Sequence, residues 1–286
     1  MKIKNIIVLI VIFLSLIQCN KKETKMSYSN ESVSFDNALA AMYFHIVFRE
    51  AENAWAIVDT TDYKPDTYID PASTETAYKK ITYTESTKEV TIEYHEWETN
   101  DYLLVGTITV ELSDKKLYRK DGKVAFVNLT DFSINGQSVV GESSLKYKKE
   151  KDNDNDIYTY SLLNGSAIYE EGYSMPVMIS GSISNARYER IEGGETLPLD
   201  DDFWTYSGIM KGMLRDTPSL KFTNTVSTTF NYYDINNTRR PGTLYYSMNC
   251  KIPRQGASQI EISERPNIII FYDCSGIHFD STTEIQ

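Results

Sequence analysis

Apolar and polar residues follow three different rhythms along this chain, and each predicts a different element. The first is an unbroken run. After Lys2 and Lys4 comes an apolar stretch from Ile6 to Leu14, closing on "SLIQC". A basic start, a short apolar middle and a cleavage-like end make a secretory leader over residues 1–18, too short to span a membrane with anchored flanks. Residues 19–33 then turn polar and read as a tether. The second rhythm steps by three and four residues. In "SFDNALAAMYFHIVFREAENAWAIVD", Phe44, Val47, Phe48, Ala51, Trp55 and Val58 form one stripe, and Phe35, Leu39, Met42 and Ile46 form another. The spacing predicts a helix over 34–62, with Ser34 as N-cap, Asp36 at the positive end of the dipole and Pro65 beyond its end. Two stripes predict a helix covered on more than one face.

The third rhythm, strict alternation, fills the remainder. "EVTIEYH", "LLVGTITVEL", "KVAFVNLTDFSI" and "SVVGESSLKYKK" read as strands, the last two joined by a turn at Asn135-Gly136. "IYTYSLLNGSAIYEE" and "VMISGSISNARYER" follow a charged break. Further on come "FWTYSGIMKGML", "SLKFTNTVSTTFNYY", "GTLYYSMNC", "QIEIS" and "NIIIFYDC". About ten to twelve strands without a second long helix leave no room for βαβ units. The expected fold is therefore mainly β: antiparallel, β-sandwich-like sheets, folded on themselves or stacked, with one N-terminal α-helix. The Gly-, Pro- and acid-rich "IEGGETLPLDD" divides a first β-unit, 63–192, from a second, 193–286. Strand endings show a loose internal similarity ("EVTIEYHEW" and "NIIIFYDCSG"), but no fixed short period, so a solenoid is excluded.

Composition narrows the function classes. Net charge is −11, and more acidic still once the leader's two lysines are removed. Nucleic acid needs clustered Lys and Arg, so it is not an expected partner. The 21 tyrosines favour strands. The seam at "SLIQCNKKE" resembles a bacterial lipoprotein signal, in which a cysteine is acylated and becomes the mature N-terminus. Leu16 and Ile17 fit that pattern, while Gln18 stands where a small residue is usual. The resemblance implies lipid (palmitate among the acyl groups) on Cys19. Several acyl chains, at about 0.8 kcal/mol per buried methylene, would hold the chain on a membrane.

The order of helix, "VTIEY", "LLVGTITVEL" and "FVNLTDFSINGQSVVG", closed by "YYSMNCKIPRQGASQIEI" and "IIIFYDCSG", resembles uncharacterised cell-envelope lipoproteins of Bacteroidota with repeated Gly-led β-hairpins. It covers about two thirds of the chain. "YHEWETND" departs from the Gly- and Asp-rich turn of that group. The resemblance implies β-architecture and an outer-membrane location, on the periplasmic or the surface side. It brings no catalytic residues.

Candidate chemistry is sparse. His45 lies on the helix, on a side with Glu52, and is expected to be solvated or half-buried. His95, in "HEWE", lacks the helical H-E-x-x-H pattern of a zinc site. His278 falls near a C-terminus expected to be frayed, with Asp280 but without a nucleophile. "DNDND", Asp152 to Asp156, resembles a calcium loop, but Ile157 and Leu163 stand where Gly and Glu are required. No metal and no cofactor is expected. Neither a nucleophile elbow nor a phosphate-binding loop occurs. Tyrosines in "YTY", "NYY" and "LYY" are assigned mainly to core and cross-strand packing rather than to a sugar platform.

Cys250 and Cys274 are the remaining cysteines. In a three-strand meander they would sit roughly 9.5 Å apart across two strand spacings, beyond the about 7 Å that a disulfide bridges. A bridge requires neighbouring Cys strands or a bend at "KIPRQG". The alternative is two separate thiols. The related chains carry both cysteines. The sequence thus points to a non-enzymatic envelope lipoprotein with a binding or scaffolding role towards a glycan or an envelope protein. A hydrolase of envelope or extracellular polymer and a lipid carrier are the alternatives.

Overall fold

The computed structural model describes residues 30–59, 67–99, 102–113, 121–148, 157–169, 177–191, 203–213, 221–233, 239–246, 253, 255–262, 267–273 and 276–280. One helix, α1 (Asn30–Asp59), precedes the strands. The first group is β1 (Thr67–Ile69), β2 (Tyr78–Thr84), β3 (Glu89–Glu98), β4 (Leu103–Leu112), β5 (Val124–Ile134), β6 (Gln137–Lys148), β7 (Ile157–Tyr169) and β8 (Val177–Ile191). The second is β9 (Phe203–Met213), β10 (Lys221–Tyr233), β11 (Arg239–Gly242), β12 (Leu244–Tyr246), β13 (Gln255–Ile262), β14 (Ile268–Asp273) and β15 (Gly276–Asp280). Among the described residues the protein is mainly β and antiparallel, with a single helix near the N-terminus, as the alternation predicts.

All strands join one 15-stranded sheet. It runs in chain order from β1 to β10 and continues through β13, β14 and β15; β11 pairs with β10, and β12 with β9 and β13. Asn135 and Gly136 close the β5–β6 hairpin with φ of 54° and 76°, the left-handed pair that a two-residue turn between twisted strands demands. Across the Gly- and Pro-rich stretch after Ile191, β8 and β9 pair directly, from Ser180 opposite Met213 to Ile191 opposite Phe203.

Three details differ from the sequence reading. Ser34 lies inside α1, which already begins at Asn30, so it has no helix N-terminus to cap. β1, β2, β11 and β15 add strands that alternation did not reveal. His278 belongs to β15, opposite Phe271, so the chain near it is ladder-paired.

The sheet wraps the helix. From Ala40 to Ala56 every α1 side chain is buried except Arg49, Asn53 and Ala56, which are half-buried. The helix touches β3 and β4 near one end of the sheet and also β14 and β15 at the other. Such enclosure needs a corner, and bulges supply it. The ladder shifts register between Tyr94 and Trp97 in β3, between Val105 and Thr107 in β4, between Val140 and Glu142 in β6, and between Ser184 and Arg187 in β8. Bulges bend strands and increase their twist. At Gly106 (φ 104°) an added Cβ would sit 2.2 Å from the Asp131 carbonyl oxygen, so only glycine lets β4 cross β5 there. Outward faces carry exposed Glu111, Asn128, Thr130, Glu142, Lys146 and Lys148, while their neighbours in the strands point into the core. That is the pattern of a sheet with one face in water.

Candidate functional site

Polar side chains concentrate where α1 meets the sheet. Glu50 is almost wholly buried, yet three donors converge on its carboxylate. Arg49 donates to Oε1 at 2.5 Å, Lys79 of β2 to Oε2 at 2.6 Å, and the Tyr94 hydroxyl of β3 to Oε2 at 2.5 Å. The Lys79 ammonium also lies 5.7 Å from the Tyr94 ring centroid. Burial alone would push the Glu50 carboxyl up. The two cations and the hydrogen bonds from Lys79 and Tyr94 outweigh it, holding the group well below the usual carboxylate range. Burial, then the Glu50 charge, push the Tyr94 phenol well up. A carboxylate so saturated is neither a general acid nor an available base. It locks the helix to β2 and β3.

Two residues on, across the helix, the Tyr158 hydroxyl donates to Glu52 Oε1 at 3.0 Å, again with both groups buried. His45 lies on a sheet-facing side as well. Its ring stacks on Tyr246 (centroids 4.1 Å apart) and on Tyr188 (5.5 Å), and Nδ1 has no protein partner. The expectation of a solvated or half-buried histidine is therefore corrected: only 2% of His45 is exposed. Imidazole tolerates this because it can shed its charge. Burial first, and Arg49 second, hold its pKa well below the ordinary value.

A cavity of about 10 Å³ adjoins this aromatic layer, lined by Tyr188, Tyr206, Tyr246, Asn224, Met210 and Ala41 among others. Burial raises the phenols of Tyr188, Tyr206 and Tyr246, each further raised by neighbouring tyrosines. Tyr272 is pushed up to about 12, with Ser258 and Asn224 pulling the other way.

The sequence candidates are placed unevenly. Cys19, Cys250, Cys274 and the Asp152–Asp156 stretch lie outside the described residues. His95 is exposed at the β3 bulge and stacks on Tyr78, with centroids 5.4 Å apart. Among the described residues, no group of three or more His, Cys, Asp and Glu gathers to hold a metal. Tyr158 and Tyr160, two apart in "YTY", both point into the core. The Glu50 cluster was missed. Its signal was present in "FREAEN", where Glu50 and Glu52 interrupt a helix whose apolar stripes leave no wide polar face. No family model matches the chain, and neither a curated protein nor a solved structure matches it.

Proposed function

We propose that the chain is a cell-envelope lipoprotein, held on the outer membrane by lipid on Cys19, whose folded part binds or scaffolds rather than catalyses. The observation that carries this reading is the occupation of the sheet's interior by α1. A lipid carrier needs an open apolar lining, whereas Phe44, Phe48 and Trp55 fill the space inside these strands. Glu50 and Glu52, the two carboxylates that the fold gathers among partners inside the sheet, are sealed from solvent and so are of no use to a hydrolase. What meets solvent is a broad, polar sheet face, suited to a glycan or an envelope protein.

Two measurements test the proposal on the full chain. Cys19→Ala abolishes incorporation of radioactive palmitate and releases the protein from the membrane fraction; retained labelling would sink the lipoprotein reading. A glycan and lipid binding screen addresses the role. Stoichiometric solvent-extractable lipid, beyond the acyl groups bound covalently to Cys19, would favour a carrier and overturn the scaffold reading. Protease shaving of intact cells separates the periplasmic side from the surface side.

A further inference from the structure

The cavity beside His45 is built from five elements: Ala41 of α1, Ile183 and Tyr188 of β8, Tyr206 and Met210 of β9, Asn224 and Val226 of β10, and Leu244 and Tyr246 of β12. Asn224 sits between Phe222 and Val226 at an inward position of β10, where alternation calls for an apolar residue. It is 3% exposed, and its Oδ1 has no protein partner. A buried acceptor left in that state is costly, and native cores rarely keep one without an ordered water.

We infer that this cavity is a hydration site, holding one water that donates to Asn224 Oδ1 and bridges to the tyrosine hydroxyls around it. The size agrees. About 10 Å³ accommodates a single water and no larger ligand. The chemistry agrees as well. A water needs two to four polar partners, and Tyr188, Tyr206 and Tyr246, whose phenols can donate to it or accept from it, line the same space as Asn224. No carboxylate lines the space, so a cation would lack a counter-charge there. An apolar occupant would leave Asn224 unsatisfied. The water would join strands β8, β9, β10 and β12 at the point where they meet the helix.

High-resolution diffraction from the intact chain decides. The expected result is one fully occupied water within hydrogen-bond distance of Asn224 Oδ1 and of a hydroxyl of Tyr188, Tyr206 or Tyr246. A dry cavity would overturn the inference. Asn224→Leu supplies a second reading, because it keeps most of the volume and removes the acceptor. Diffraction from this variant is expected to show the cavity without the water, since the acceptor that holds it is gone. A water still ordered there would show that Asn224 does not hold it and would overturn the inference. Should the variant fail to fold, diffraction from the unaltered chain still decides.

Discussion

Phe48→Ala probes the enclosure of the helix most directly. The Phe48 side chain has no exposed surface. Its ring stacks on Tyr188 at 4.0 Å and meets Trp204, Tyr160 and Tyr158 edge-on at 5.1, 5.5 and 5.7 Å. Truncating a core phenylalanine costs about 3–5 kcal/mol, and each well-placed aromatic pair adds about 0.5–1.5 kcal/mol beyond area. With four rings around one, the upper part of that range, about 5 kcal/mol, is expected. Against a total stability of about 5–15 kcal/mol, the loss would approach unfolding for a chain at the low end. The assay is equilibrium denaturation of the full chain, read by the midpoint at constant slope. Phe126→Ala is the control, because Phe126 is 49% exposed on the outward face of β5 and should stay within about 0.5 kcal/mol. A Phe48→Ala loss as small as the control's would refute the packing argument, since it would mean that the helix is not held inside the sheet.

Glu50→Gln should cost about 3–5 kcal/mol near pH 7, because Arg49 and Lys79 lose their buried counter-charge. The Glu50 pKa is depressed in the fold, so its contribution is whole above the ordinary value of 4.5 and fades as pH falls towards the lower folded value. A gap between variant and parent that stays constant below pH 4.5 would contradict this. His45→Phe keeps the stacking and removes the titration. The folded pKa of His45 lies below the ordinary 6.5, so the parent loses stability as pH drops below 6.5 while the variant resists that part of the loss; parallel pH–stability curves would count against a neutral buried imidazole. Gly106→Ala, which combines a φ of 104° with a 2.2 Å approach to the Asp131 carbonyl, should destabilise strongly. A thermal midpoint matching the parent's would show that the β4–β5 crossing is looser than described.

Legibility followed one-sided burial. β4 occupies the same residues as the alternating "LLVGTITVEL", because one face of the sheet is wet and the other dry. The two helical stripes likewise announced a helix covered on several sides. β2 escaped notice because Lys79 stands in an inward slot, between helix and sheet, where alternation expects an apolar side chain. That slot makes sense only once Glu50 is known to face it. His45 was misjudged for a related reason: polarity scales treat it as charged, whereas the aromatic layer holds it neutral. The wrapping itself was invisible. Glycines at 106, 141 and 208 can be seen in the strands, but their alignment into a corner depends on register, which no single segment encodes.

Because α1 comes first in the chain and is enclosed by strands that come last, assembly has a direction. Tyr158 and Glu52 meet across 106 positions, and the contacts of α1 with β14 and β15 span still more of the chain. Contacts of such separation make folding slow, since loop entropy is lost before they reward it. Until β14 and β15 arrive, one side of α1 lacks its wall, the state in which partly folded chains aggregate. A chain emerging N-terminus first therefore exposes the apolar stripes of α1 before any strand and finishes covering them last. Truncation before Ile268 would leave that segment uncovered on one side for good.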